Sequence, residues 1–309
     1  MNRKEFLHYS IKAAAAIALT PNLLCEAAAA EQASKQLSIL HTNDVHSRLD
    51  PFPMDGGKYQ GLGGIRARAN LLQQIRQEPK ANILLLDSGD MFQGTPYFNL
   101  YKGEAEILAM NKLGYDCGTL GNHDFDAGLD NLLIQLNKAN FPIVACNYDF
   151  SNTILEDKIA PYTIVKKGGV KIGIIGVGIA LQGLVPENLY GATVYKNPVP
   201  LVNTYARKLK HSKGCDLVVC LSHLGYAYDG NKLSDKTLAA ETTDVDIILG
   251  GHTHTFLDEP SKVKNKNGQD VFINQVGFAG IKLGRLDFDF FQKKNSENKL
   301  SATSGIIIK

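Results

Sequence analysis

"VDIILGGHTH", residues 245–254, joins an apolar run to two glycines and then to two histidines two positions apart. A run of this kind, closed by turn-forming residues, reads as a strand buried on both faces. Such a strand needs a neighbour on each side and a layer above and below it, which is the setting of a largely parallel sheet. His252 and His254 then lie where the chain leaves the sheet. Imidazoles in that position are either ordinary loop residues or part of a site to which other strands contribute.

The flanking sequence repeats the pattern. "QLSILH" (36–41) precedes the helical stretch "GIRARANLLQQIR" (64–76), in which Ile65, Ala69, Leu72 and Ile75 share one face. "NILLLD" (82–87), "EAEILAMNKLG" (104–114), "YDCGTL" (115–120), "LDNLLIQLNKA" (129–139) and "FPIVACN" (141–147) continue the alternation. Short apolar runs alternating with helices predict βαβ units and an α/β fold with mostly parallel strands. Further on, "YTIVKKGGVKIGIIGVG" (162–178) reads as a hairpin about Lys-Gly-Gly. A helix near 198–211 follows, then strands within 216–223, 245–251, 270–276 and 283–290. "KVKNKNGQD" (262–270) reads as a polar turn, and residues 293–305 as a polar loop or tail.

What ends each apolar run is of one chemical kind. The first is followed by Asp44 and His46, the second by Asp87 and Asp90, and the third by Asn122, His123, Asp124 and Asp126. The run at 216–223 ends in Ser222-His223, and the opening run in His252 and His254. Each item alone has a plain structural reading, such as a helix cap or a tight turn. Together they bring nitrogen and oxygen donors to the carboxyl ends of five strands, which share an edge in an open α/β sheet. Imidazole, carboxylate and amide oxygen suit divalent zinc, manganese or iron better than a soft thiolate centre would. These ligands are too many for one ion; two ions about 3.5–4 Å apart, bridged by a carboxylate, would use them all.

Composition sets the outer bounds. The 309 residues are 44% hydrophobic and 21% charged, with a formal charge of +2, an ordinary globular balance. Such a charge implies neither a nucleic-acid grip nor a polybasic membrane patch, and no nucleic-acid binding is expected. Residues 1–30 have a basic start, an apolar middle and small residues at the end, the pattern of a cleaved export signal. The protein is therefore expected in the periplasm or at the cell surface, with a lipid anchor through Cys25 as the alternative. Residues 31–309 form the expected folded domain. Cys117, Cys146 and Cys220 lie in apolar runs and are expected to be buried thiols.

"DVH", "GDMFQG", "GNHDFD", "SHLG" and "GGHTH", in this order and at these intervals, resemble the calcineurin-like metallophosphoesterases, within them the bacterial 5′-nucleotidase and UDP-sugar hydrolase branch. The likeness covers roughly residues 36–290. It implies a four-layer α/β/β/α metallophosphoesterase sandwich with two divalent ions, zinc, manganese or iron, at the strand ends. By the resemblance, Asp44, His46, Asp90 and His254 hold one ion, and Asp90, Asn122, His223 and His252 the other, with Asp90 as the bridge. A bridging hydroxide would attack phosphorus while His123, oriented by Asp126, assists the leaving group. Asp87 is expected to be structural or to support the ligands from behind. Asp124 stands where the family usually has Glu, a conservative change expected to matter little.

The implied substrate is a nucleotide, and the implied role an exported hydrolase of nucleotide catabolism. Members of the branch usually continue into a C-terminal nucleotide-binding domain that this sequence does not contain. A separately encoded protein could supply it. Two alternatives stay open: a 2′,3′-cyclic-nucleotide phosphodiesterase, and a metal-binding subunit of a split nucleotidase with little activity alone.

Overall fold

A computed structural model describes residues 35–79, 81–230, 232–290 and 299–309. The expected export segment, residues 1–30, lies outside them. Gln36–Phe288 with Leu300–Lys309 form one compact unit, to which all the site residues belong.

Two sheets carry the unit. In the first, β1 (Lys35–Thr42) runs parallel to β2 (Ile83–Asp87), and β2 parallel to β3 (Cys117–Gly118). A small antiparallel ribbon pairs β4 (Tyr148–Asp149) with β7 (Val194–Tyr195). The second sheet contains β5 (Tyr162–Lys167), β6 (Val170–Val177), β8 (Leu217–Ser222), β9 (Ile247–Leu249), β10 (Ser261–Lys264) and β11 (Asp270–Asn274), in the order β10-β11-β9-β8-β6-β5. β12 (Lys282–Phe290) and β13 (Lys299–Ile307) return to the first sheet, whose order is β13-β12-β1-β2-β3. The β5–β6 hairpin turns at Gly168 and Gly169 with φ of 54° and 79°, left-handed values at which glycine carries no Cβ penalty.

Side-chain alternation along the strands makes the layers. Leu85 of β2 packs with Leu72, Ile75, Ile107, Met110 and Leu132. Those residues lie on α1 (Ile65–Arg76), α3 (Glu104–Leu113) and α4 (Gly128–Lys138), with the short α2 (Pro96–Tyr101) beside them. Leu84 and Leu86 are equally buried and point to the other face of the sheet. On the second sheet Val218 and Cys220 pack with Val202, Ala206, Leu209, Leu238 and Ala239. The helices there are α6 (Pro198–Arg207) and α7 (Asp235–Glu241), while α5 (Glu187–Tyr190) is a single turn. Asn274 of β11 meets His41 of β1 at 2.9 Å, Ser88 Oγ donates to the Leu249 carbonyl at 2.8 Å, and Phe272 lies edge-on to Phe288. The sheets therefore face each other between two helical layers, giving α/β/β/α. Each fully buried leucine at these positions contributes about 1.5–3 kcal/mol.

Several expectations need correction. The metal-type residues do not share the edge of one sheet, because β1, β2 and β3 belong to one sheet and β8 and β9 to the other. Residues 141–147 make only isolated bridges, at Ile143 and Val144; the Val144 carbonyl is taken by the Thr119 hydroxyl at 2.7 Å. Residues 262–264 are not turn but edge strand β10, with Lys262 and Lys264 exposed. Residues 299–307 are strand β13 rather than loop. Both strands end their sheets, where lysines and polar residues are tolerated and discourage edge-to-edge pairing. The helix near 198–211 ends at Arg207 and finishes in one wide turn, Lys208–Ser212. Cys117, Cys146 and Cys220 are free and buried, as expected, and so is Cys215. Among the described residues, no helix is long and apolar enough to cross a membrane.

His41 couples this core to pH. Its ring is fully buried, and burial lowers its pKa to about 3. The folded state refuses a proton that the unfolded chain accepts below its ordinary value of about 6.5, so stability is complete above that value and is lost as pH falls toward 3. About 2 kcal/mol should disappear by about pH 5. Urea unfolding of metal-free protein at several pH values checks this, and His41→Gln should flatten the slope.

Candidate metal centre

The strand ends deliver their polar residues through unusual backbone. Asp44, His46, Asp90, His252 and His254 all have left-handed φ, between 50° and 71°, a region that non-glycine residues adopt at a cost. Packing and hydrogen bonds hold them there. Asp44 N–H donates to the Gly89 carbonyl and His46 N–H to the Asp90 carbonyl, which lashes the β1 and β2 exits together. Both Asp44 carboxylate oxygens accept from His252 N–H at 3.0 Å, tying the first sheet to the second. The glycine before His252 is also required: a Cβ at Gly251 would come within 2.7 Å of His223 Nδ1 and 3.0 Å of the Ser88 carbonyl.

These exits assemble two donor groups, Asp44–His46–His254 and Asp90–His223–His252. In the first, His46 Nε2 and His254 Nε2 are 3.0 Å apart, and His254 Nε2 is 3.3 Å from Asp44 Oδ1. In the second, His223 Nε2 is 3.0 Å from Asp90 Oδ2, and Asn122 Oδ1 is 3.0 Å from His252 Nδ1. Asp90 Oδ2 also lies 3.9 Å from His46 Nε2, while Asp90 Oδ1 accepts from His123 N–H at 2.8 Å. A single Asp90 oxygen thus faces both groups. All seven residues named as metal-binding from the sequence meet here.

The donor set fits cations. His223 Nδ1 stands 2.7 Å from the Ser88 carbonyl, and its buried Nε2 makes no aligned hydrogen bond. Burial opposes charge on this ring, yet the Asp90 and Asp44 carboxylates outweigh it and push its pKa up to about 10. The niche draws in positive charge, which a divalent ion supplies without the proton. His46 is lowered first by burial, and burial also lowers His252, to about 4. Neutral imidazoles are the form that binds metal. No cysteine stands in either group.

Beside the donors, His123 Nδ1 lies 2.7 Å from Asp126 Oδ2, and its ring sits 5.3 Å from that of His46. The Asp126 hydrogen bond raises the His123 pKa. Asp87 accepts from Thr42 Oγ1 at 2.6 Å and from Gly89 N–H at 2.9 Å, so its carboxylate ties the ends of β1 and β2. Asp124 has a role in the loops of the site. Its carboxylate accepts from the backbone N–H groups of Asp90, Met91, Phe92 and Gly121 at 2.8–3.2 Å, fixing the loop that presents Asp90. Gln275, unremarked in the sequence, pins the other loop through Thr253, Thr255 and the Gly251 carbonyl. Asp124 stood out in the sequence as a carboxylate at a strand end, but nothing there pointed to its loop contacts, and nothing marked Gln275.

Two facing sheets that bring imidazole, carboxylate and amide donors to a common edge define the scaffold of a metal-dependent hydrolase. The calcineurin-like phosphoesterase model matches residues 37–256, and the chain belongs to that family. A snake venom 5′-nucleotidase from Gloydius brevicauda is 35% identical over 291 residues, covering 88% of this chain and 48% of that protein. The Rattus norvegicus 5′-nucleotidase is 34% identical over 283 residues, covering 85% and 48%. Among solved structures, a 5′-nucleotidase precursor from Thermus thermophilus matches with TM-score 0.79 and 33% identity, covering 88% of this chain and 54% of that one. The Haemophilus influenzae NAD nucleotidase matches with TM-score 0.75 and 28% identity, covering 89% and 50%. The chain spans about half the length of the curated relatives it matches.

Proposed function

We propose that this chain is the catalytic domain of an exported 5′-nucleotidase-like hydrolase that works with two divalent ions of zinc, manganese or iron. Asp44, His46, Asp90 and His254 would hold one ion, and Asp90, Asn122, His223 and His252 the other, with Asp90 Oδ2 shared. When bound, such a pair acidifies a water between the ions and neutralises the phosphoryl oxygens of an in-line displacement. The observation that carries the reading is the placement of Asp90 Oδ2, 3.0 Å from His223 Nε2 and 3.9 Å from His46 Nε2, between the two donor groups.

His123 supplies the acid. Asp126 holds its Nδ1 and favours the imidazolium, which leaves Nε2–H to be given to the departing alkoxide. The backbone N–H of the same residue orients Asp90, so the acid and the shared carboxylate keep a fixed relation. The 5′-nucleotidase names of the relatives point to a nucleoside monophosphate as substrate. The basic, apolar and small-residue segments of residues 1–30 support export.

The test is a panel of AMP, UDP-glucose, 2′,3′-cyclic AMP and bis-p-nitrophenyl phosphate, offered to chelator-treated protein with each ion restored in turn. AMP is expected to give the highest kcat/KM. A preference for 2′,3′-cyclic AMP would move the assignment to a cyclic phosphodiesterase. Ion binding without turnover of any ester would leave a metal-bearing subunit.

A further inference from the structure

We propose that Phe278 is the positioning residue of His254 and thereby sets the affinity of the ion held with Asp44 and His46; this rests on the two-ion reading above. A ligating imidazole is normally aimed by a hydrogen bond to its second ring nitrogen. Two of the candidate imidazoles have such a partner: His223 Nδ1 lies 2.7 Å from the Ser88 carbonyl and His46 Nδ1 3.3 Å from the Phe92 carbonyl. His254 lacks one. Its side chain is 41% exposed and its Nε2 contacts His46 and Asp44; among the described residues, no hydrogen bond to its Nδ1 accompanies these. The Phe278 ring takes that place, stacked on the imidazole at 5.1 Å and 15°. A flat face against a flat face limits rotation about χ2, the torsion that turns the ring and with it Nε2 relative to Asp44.

Phe278 is itself held from three sides. Phe52, Tyr59 and Phe256 meet its ring edge-on, at 6.4, 5.6 and 5.9 Å and interplanar angles of 85°, 84° and 69°. The backbone of the same connector steadies another ligand of this ion. Ala279 N–H donates to the Asp44 carbonyl at 2.7 Å, and Asn43 Nδ2 donates to the Gly277 carbonyl at 2.6 Å. One segment between β11 and β12 therefore positions both His254 and Asp44, although it contributes no ligand.

The experiment is cobalt(II) titration of chelator-treated protein, followed by d–d absorption and calorimetry, with the melting temperature of each metal-free variant measured in parallel. Wild type is expected to bind two ions. Phe278→Leu should keep one step unchanged and weaken the other by about 10–100-fold, the loss typical of outer partners of a metal ligand. Phe278→Tyr, which preserves the ring face, should restore the weakened step. Phe278→Met, a flexible filler of similar volume, gives the same reading should the leucine variant not fold. Two unchanged steps in Phe278→Leu would overturn the proposal. So would an equal weakening of both steps, since that is what loosened packing alone produces. A wild-type titration that saturates at one ion would instead remove the two-ion reading.

Discussion

Replacing His123 by alanine is expected to lower kcat by about 10²–10⁴-fold, the contribution of a positioned general acid, with both ions still bound. The two effects separate because the His123 side chain stands beside the donor groups without belonging to either. Its link to the centre runs through the backbone, where N–H donates to Asp90 Oδ1, and alanine keeps that bond. Single-turnover hydrolysis together with metal analysis of the purified variant provides the check. Near-normal turnover would remove His123 from the chemistry, whereas missing metal would make it structural. A substrate with a good leaving group, such as a nitrophenyl ester, should lose less than AMP, because its departing oxygen needs little protonation.

Asp90→Asn is expected to weaken both ions together by more than about 100-fold, beyond the loss caused by changing an outer partner. The amide oxygen can still accept from His123 N–H as Asp90 Oδ1 does, so the loop has no reason to collapse. The second oxygen, however, becomes an NH₂ group that faces His223 and His46 without charge or lone pair. Calorimetric titration should show both binding events shifting in step. If one ion remained at wild-type affinity, Asp90 would belong to a single donor group and no shared oxygen would exist.

The fold was legible wherever one physical constraint dominated the sequence. β2 and β8, buried at every position, appear as apolar runs closed by one polar residue each, Asp87 and Ser222, because a strand between two layers has little room for more. β10 and β13 escaped notice because edge strands are allowed the lysines and serines that mark loops elsewhere. The division of the site between two sheets was invisible to periodicity, which reports the local face of a strand and not which sheet it joins. The donor residues could be read because metal-type side chains must sit at strand ends in number. Asp124 and Gln275 could not, since their work is to satisfy backbone groups of loops whose course only the folded chain reveals. Phe278 looked like any half-buried aromatic residue.

The left-handed residues of the centre bear on the protein's fate as well as its chemistry. Five positions, Asp44, His46, Asp90, His252 and His254, each carry a conformation that costs roughly 1 kcal/mol or more, and their carboxylates repel one another until a cation arrives. A newly made chain in metal-poor surroundings has only its loop hydrogen bonds and the proton on His223 to offset both burdens. Scarcity of the ion would then shorten the protein's lifetime before it limits the rate of any single turnover, because strained, unfilled loops are where proteases find their first opening.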